Sequence, residues 1–307
     1  MTQISPNIHL IDRRTGSTVY ETVLGDRLLR LACLPPVRGI ARGLLFNSGL
    51  PTRLLGWYAD SRWSRGKIAA TIRDLAIDMA DYETPAGGYA SFNDFFTRRL
   101  KPGRRPFDPD PAVLVSPADC RLLVYERLSQ ATCFPVKGVS FTLEELLGSG
   151  PNAAAEAARL ANGVLLVCRL CPADYHRFHY PAAGRTAATW TVPGAYESVN
   201  PFALAAGARP FSGNARRVSI LDTAATGRTA FIEVGAFGVG RIVQTHPTEK
   251  FAKMDEKGFF AFGGSTLVLV FPQGTFQPDT DLCRNSAQGL ETLIRAGEPL
   301  GRSTAAP

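Results

Sequence analysis

Histidine is scarce in this chain: His9, His176, His179 and His246 are the only four in 307 residues. Any chemistry that needs an imidazole must draw on one of them. No HExxH and no zinc-finger spacing occurs, so the common zinc sites are excluded. The Walker pattern is missing, and Gly235-Ala-Phe-Gly-Val-Gly240 has the wrong spacing for GxGxxG. The G-x-S-x-G nucleophile elbow is missing too. No window of 18 residues is uninterruptedly apolar, so no transmembrane helix is expected. The opening MTQISPNIHLIDRRTG lacks a basic stretch followed by an apolar one, and no secretory signal is expected. There is no internal repeat and no low-complexity tract.

The six cysteines, Cys33, Cys120, Cys133, Cys168, Cys171 and Cys283, form no small secreted framework. Reduced thiols in a cytoplasmic setting are the expectation. Cys168-Arg-Leu-Cys171 is a lone CxxC inside an apolar run, which fits a buried strand better than a metal or redox site.

What is present is an ordinary globular composition, 45% hydrophobic and 20% charged, with a formal charge of +7. A positive balance asks for an acidic partner. The arginines are scattered, with no RNP-like motif and no basic arm, so no nucleic-acid partner is expected. An anionic membrane surface or an anionic substrate remains. In 27–58, Val37, Ile40, Ala41, Leu44 and Leu45 share one helical face beside Arg38 and Arg42, and Leu50, Leu54, Leu55, Trp57 and Tyr58 continue the apolar content. Such a segment can lie in a membrane interface or pack on a core.

The pattern predicts an α+β fold, a helical N-terminal membrane-associating part followed by a β-rich catalytic core. Ser64 is placed to cap a helix whose Ile68, Ile72, Leu75 and Met79 share a face, and a short helix carries Phe92, Phe95 and Phe96. Lys101-Pro-Gly-Arg-Arg-Pro106 is the best boundary, dividing 1–105 from a core over 106–285. Short apolar runs over 112–115, 121–125, 163–169, 188–192, 229–234, 239–243 and 266–271 read as strands. Thr142-Leu-Glu-Glu145 is a capping box, and the Ala-rich 153–161 is a second helix candidate. Residues 286–307 read as a polar, loosely held tail.

Three groups stand out chemically. Asp174-Tyr-His-Arg-Phe-His179 holds two histidines, on one side if helical and on opposite faces if extended. Asp119, in Ser116-Pro-Ala-Asp119, sits in a turn where carboxylates usually accept backbone N–H groups. Gly263-Gly264-Ser265-Thr266 precedes Leu267-Val-Leu-Val-Phe271. Two glycines before a strand mark a turn or bulge, yet a glycine before serine also leaves its carbonyl open to that hydroxyl. Asp119, His179 and Ser265 together supply an acid, a base and a hydroxyl. They could serve a hydrolase acting on an external ester, or an attack of Ser265 on Gly264.

In order along the chain, several motifs resemble the phosphatidylserine decarboxylase family. They are Asp12-Arg-Arg-Thr-Gly16, Ser91-Phe-Asn-Asp-Phe-Phe-Thr-Arg98, Leu100-Lys-Pro-Gly-Arg-Arg-Pro106, Ser116-Pro-Ala-Asp119, Val136-Lys-Gly138, Asp174-Tyr-His-Arg-Phe-His179, Glu197-Ser-Val-Asn-Pro201, Val234-Gly-Ala236 and Gly264-Ser-Thr266. The resemblance implies that Asp119 and His179 activate Ser265 to cut the chain after Gly264. Ser265 would then become a pyruvoyl group heading a small chain, 265–307, that stays with the large chain, 1–264. His176 would match the histidine implicated in decarboxylation. The implied substrate is phosphatidylserine in an anionic membrane, with no metal, and the implied assembly is a homodimer held peripherally at the cytoplasmic face. Some relatives act on soluble amino acids such as tryptophan, and a relative that never cuts itself is a further alternative. Three positions depart from the family pattern: Cys120 follows the Asp where Gly is usual, Asn214-Ala-Arg216 replaces Asn-Glu-Arg, and Lys253-Met-Asp-Glu256 replaces Lys-Gly-x-Glu.

Overall fold

The computed structural model describes residues 9–21, 49–128, 141–197, 209–236, 241–263 and 265–304. Numbered along the chain, the strands begin with β1 (His9–Asp12), β2 (Thr18–Tyr20), β3 (Val113–Val115), β4 (Cys120–Tyr125) and β5 (Val164–Leu170). β6 (Arg177–His179), β7 (Gly184–Val192), β8 (Arg216–Thr223), β9 (Gly227–Gly235) and β10 (Ile242–Gln244) follow. The last six are β11 (Lys250–Phe251), β12 (Glu256–Phe260), β13 (Ser265–Phe271), β14 (Phe276–Pro278), β15 (Glu291–Ile294) and β16 (Pro299–Ser303). The helices are α1 (Gly49–Asp60), α2 (Ile68–Asp74), α3 (Phe92–Phe96), α4 (Leu143–Leu147), α5 (Ala153–Leu160), α6 (Pro210–Gly213) and α7 (Thr280–Ala287).

Ten strands form one sheet in the order β11-β7-β8-β9-β13-β5-β4-β15-β1-β2, antiparallel except for the parallel pair β1 and β15. The apolar run Ser265-Thr-Leu-Val-Leu-Val-Phe271 becomes an interior strand, buried at every position, with β9 on one side and β5 on the other. Its side chains alternate between faces. Val268 and Val270 enter a cluster with Leu146 and Leu147 of α4 and Leu160 of α5. Leu267, Leu269 and Phe271 enter the opposite cluster with Phe178, Phe231 and Phe260. A second, three-stranded sheet, β10-β12-β6, contributes Phe178 and Phe260 to that second cluster.

The fold is mixed α/β and mostly sheet, and several expectations need correction. Residues 9–20, read as part of a helical region, form two strands that join the large sheet. The tail over 286–307 instead supplies β15 to the large sheet and β16 to a sheet with β14 and β3. Strand β8, whose Arg216-Arg217 opening hid its alternation, lies between β7 and β9. The helix expected from Ser64 to Met79 breaks into a 3-10 turn, Arg62–Lys67, and α2. Ser64 caps nothing there; its hydroxyl donates to the Ser61 carbonyl and accepts the Phe92 amide at 2.8 Å. Ile68, Ile72 and Met79 do pack together, against Tyr89, Phe92, Phe95 and Phe96. The capping box at Thr142 and Glu145 forms in both directions. Of the segment 27–58, residues 27–48 lie outside the described residues, as does Val136-Lys-Gly138. No helix among the described residues is long and apolar enough to cross a membrane.

Candidate active site

Strand β13 starts at Ser265, whose neighbours across the ladder are Leu170 at the end of β5 and Gly235 at the end of β9. Ser265 is fully buried, and its hydroxyl has no hydrogen-bond partner among the described residues. An unpaired buried hydroxyl costs about 1–3 kcal/mol, so the site holds a polar group that stability alone would remove. Gly264 itself lies outside the described residues. Gly263, just before it, has φ +139°, a backbone angle that side chains resist.

The chain enters this point from the other sheet. Strand β12 pairs antiparallel with β6, placing Phe259 opposite Arg177 and Glu256 opposite His179. The amide of Phe260 donates to the carbonyl of His176 at 3.0 Å. Phe96 then bridges ring to ring, 3.8 Å from His176 and 5.2 Å from Phe262. The histidine segment is therefore extended and zipped to the strand that leads into Gly264-Ser265.

His176 is fully buried. Its Nδ1 faces the Asp174 carbonyl at 3.0 Å, and because a carbonyl only accepts, Nδ1 carries the proton. Nε2 is thus bare, buried and without a partner among the described residues. Burial and the nearby Arg98 and Arg121 charges pull its pKa down to about 3. A ring near its ordinary pKa would have served as a ready proton donor; the structure has a neutral ring instead. Arg98, itself buried, holds this turn by donating to the carbonyls of Ala173 and Asp174 at 2.6 and 2.9 Å.

The Asp174 carboxylate accepts from Arg121 and from the Cys171 amide, and burial pushes its pKa up despite that guanidinium. Arg121 and Arg169 meet Glu21, and Arg169 also meets Glu291 at 2.6 Å. Burial alone would raise the Glu21 pKa, but the two guanidiniums bring it to about 2. Removing one member of such a buried set is costly, roughly 3–5 kcal/mol. The histidine turn rests on this network.

His179 has both ring nitrogens engaged: Nδ1 donates to the Met254 carbonyl at 2.9 Å, and Nε2 accepts from the Tyr175 hydroxyl at 3.2 Å. Burial lowers its pKa, so it too is neutral, with the lone pair on Nε2. Asp119 accepts the Arg105 fork at 2.6 and 2.9 Å and the Ala296 amide at 2.9 Å. The His179 amide donates to the Pro117 carbonyl, two residues before Asp119. Asp119 and His179 are thus held on neighbouring backbone. No hydrogen-bonded Asp119–His179–Ser265 chain exists among the described residues, which disfavours a preassembled hydrolase triad.

Sequence reasoning missed Arg98, Arg105 and Tyr175. Arg98, Arg105 and Tyr175 all lie in motifs that resemble the family, but nothing in the residues themselves assigned them a place at the site. No group of three or more metal-ligating side chains occurs among the described residues. Cys168 lies in the core on β5.

Residues 92–302 match the sequence profile of the phosphatidylserine decarboxylase family. The chain is 38% identical over 295 residues to the phosphatidylserine decarboxylase proenzyme of Clostridium botulinum (strain Kyoto / Type A2), covering 96% of this chain and 99% of that one. The proenzyme of the same name from Fusobacterium nucleatum is 38% identical, covering 96% and 97%. That of Chlamydia felis is 37% identical over 297 residues, covering 96% and 98%. The burial of Ser265, its place after Gly263 and Gly264, and these matches along nearly the whole length agree: the chain belongs to the phosphatidylserine decarboxylase family.

Proposed function

We propose that this chain is a proenzyme that cuts itself between Gly264 and Ser265, and that the two-chain product decarboxylates phosphatidylserine to phosphatidylethanolamine. The observation that carries the reading is the Ser265 hydroxyl, buried and unpartnered among the described residues, at the head of β13, which follows β12, the strand paired with β6 and His179.

The first step is the attack of the Ser265 oxygen on the Gly264 carbonyl carbon. His179 Nε2, bare of a proton, takes the hydroxyl proton once Tyr175 releases it, and returns a proton to the departing Ser265 nitrogen. Asp119, on the neighbouring backbone, favours the imidazolium that forms in between. The ester then breaks by loss of the Ser265 α-proton and departure of the Gly264 carboxylate. Water replaces nitrogen on the dehydroalanine left behind, releasing ammonia and leaving an N-terminal pyruvoyl group. The residues fit that group: β13 fixes position 265 in a buried ladder, with no competing hydrogen bond on its side chain among the described residues.

When formed, the pyruvoyl ketone combines with the head-group amine and accepts the electrons left by CO2. The chain's own residues orient that chemistry and exclude water from it. His176, its Nδ1–H fixed on the Asp174 carbonyl, presents a bare Nε2 that can accept and relay a proton toward the carbon that lost CO2 rather than store one. Cutting the chain does not release the small piece. Leu267, Val268, Leu269, Val270 and Phe271 are fully buried between β5 and β9, each worth about 1.5–3 kcal/mol.

The lipid is favoured over a soluble amino acid by the relatives named above, all phosphatidylserine decarboxylase proenzymes. Membrane contact is supported by Trp57 and Trp63, each 65% exposed, and Leu54, 58% exposed, on α1 and the turn after it. The net charge of +7 suits an anionic surface. We place the enzyme there peripherally, at the cytoplasmic face and as a homodimer.

The test is intact mass together with turnover. The wild-type chain should appear as two pieces split after Gly264, the smaller about 17 mass units lighter than unmodified Ser265–Pro307 through the net loss of ammonia, and should convert phosphatidylserine in detergent micelles. Ser265→Ala and His179→Ala should stay whole; His176→Ala should be cut yet turn over poorly. A stable uncut wild-type chain, or a cut chain inert toward the lipid, overturns the reading.

A further inference from the structure

A positively charged recess lies at the ends of β8 and β9 and reaches Gly235, the residue directly across from the buried Ser265. Arg217 of β8 stands opposite Glu233 of β9, and Glu233 stands opposite Leu267 of β13. Residues directly opposed share a face, as do residues two apart on one strand. Arg217, Glu233, Leu267 and Ser265 therefore lie on one side. Directly across from Ser265 is Gly235, which has no side chain to fill the gap.

The charges in this patch do not cancel. Glu233 is fully buried and accepts from Lys257 Nζ, which also donates to Gln244 at 2.7 Å. Lys257 thus answers Glu233, and among the described residues Arg217 pairs with no carboxylate and its buried Nε has no partner. A cavity of about 180 Å³ lies here, lined by Thr191, Tyr196, Arg217, Gly235, Arg241 and Ile242. Arg216 also borders it, but its guanidinium is taken by the carbonyls of Glu145, Leu146, Ser212 and Asn214. Arg241 is exposed, pairs with Asp60 and marks the mouth. The larger cavity near Val164 and Gln273 adjoins the far ends of β5 and β13 and is remote from Ser265 along both strands.

We propose that this recess binds the phosphodiester of the substrate head group, with Arg217 as the anchoring donor and Arg241 at the entrance. The inference rests on position 265 being the reacting centre. The volume is below the about 300–1,000 Å³ of pockets for drug-sized ligands, so a head-group fragment fits and an acyl chain does not. The phosphorus of the lipid lies four bonds from the reacting amine, a span comparable to one strand spacing of about 4.8 Å. That distance leads from Ser265 to β9 and Gly235, and Arg217, one strand further on β8, has a side chain long enough to cover the remaining spacing. The substrate's other anion, its carboxylate, is unsuited to the recess. Pairing it with arginine would stabilise the ground state that must lose CO2, whereas holding the non-reacting phosphate supplies binding without that penalty.

Arg217→Gln in the full chain tests this. Processing should run to completion, as read by intact mass, because Arg217 takes no part in the cut. KM for a short-chain phosphatidylserine should rise about tenfold or more, with kcat within about twofold, and Arg217→Lys should recover part of the loss. Glycerol 3-phosphate should bind wild type, measured by calorimetry, and bind Arg217→Gln about tenfold more weakly. Inorganic phosphate, run alongside, separates recognition of free phosphate from recognition of an ester: equal affinity for both assigns the site to the phosphate alone. An unchanged KM in a processed Arg217→Gln enzyme overturns the proposal, and so does glycerol 3-phosphate binding that ignores the substitution. Should Arg217→Gln fail to fold, Arg241→Gln decides. It should weaken glycerol 3-phosphate binding about threefold at low salt and not at high salt, and no change at either sinks the idea. A wild-type chain that binds glycerol 3-phosphate through Arg217 but never decarboxylates the lipid refutes the proposed function and leaves the recess standing.

Discussion

His179 donates its Nδ1 proton to the carbonyl of Met254, and Met254 holds a left-handed backbone with φ +66°. The bond fixes the tautomer that puts the lone pair on Nε2, where it accepts from the Tyr175 hydroxyl. The left-handed region costs a residue with a Cβ roughly 1–2 kcal/mol, and Met254 stands where the family pattern has glycine.

Met254→Gly should therefore keep the His179 bond while removing that strain. Glycine's greater freedom when unfolded offsets about 0.5–1 kcal/mol. The expected net change is a stabilisation of up to about 1 kcal/mol, with unchanged processing. Denaturant unfolding of the Ser265→Ala background checks it; a loss of stability would mean that the methionine side chain supplies packing that outweighs the backbone strain.

Tyr175 donates to the same Nε2 that, in the proposed cut, takes the Ser265 proton. In Tyr175→Phe that competing bond is gone, so self-cleavage should proceed at least as fast as in wild type. Following the uncut chain after cell-free synthesis reads the rate. Slower cleavage would assign the hydroxyl an active part in the proton transfer.

Arg98 fixes the two carbonyls that precede His176 and lies over the ring of Tyr82 at 4.3 Å. Arg98→Lys keeps the charge but is too short to bring its nitrogen to where Nη2 serves both carbonyls. The chain should still be cut, but kcat should fall about tenfold with KM little changed, because a misaimed imidazole affects the reaction and not the binding. A rise in KM alone would contradict this positioning role.

Acid should destabilise the uncut chain through His176. Burial holds the folded ring neutral with a pKa of about 3, whereas the unfolded ring titrates near its ordinary 6.5. As pH falls below 6.5 the unfolded state binds the proton first, so stability present above 6.5 is lost progressively toward pH 3. The contribution is about 1.4 kcal/mol per pH unit, and His179 acts in the same direction. Unfolding of Ser265→Ala between pH 7 and 5 should steepen accordingly, and His176→Phe in that background should flatten the slope. Equal slopes would place the titration elsewhere.

At the surface, Trp57 and Trp63 meet edge to face, with centroids 6.4 Å apart. Replacing both with serine should reduce sedimentation with anionic vesicles by several-fold and leave micellar turnover intact. Undiminished sedimentation would move the membrane contact to another part of the chain.

Much of the site was legible in the sequence because its chemistry is local. The glycines before Ser265, the Asp-Tyr-His-Arg-Phe-His run and the turn at Asp119 are each contiguous, and the apolar run after Ser265 had to be a buried strand because every position in it is hydrophobic or small. The capping box at Thr142 formed for the same reason: both of its hydrogen bonds span only three residues. Residues 9–20 were different. Their few alternating positions are too weak to outcompete a helical reading, and only pairing with β15, some 280 residues away, makes them strands.

The sequence by itself thus determined the candidate serine, the candidate histidines and the order of the motifs, since backbone freedom and residue chemistry are written position by position. The tertiary structure alone decided what those groups are bonded to. Asp119 meets Arg105, His179 meets Tyr175 and Met254, and Arg217 comes to the face of Ser265 because β8, β9 and β13 lie side by side. Protonation follows from that placement. A histidine's charge depends on how much water its fold removes and which carbonyl accepts its proton, and neither is a property of its neighbours in sequence.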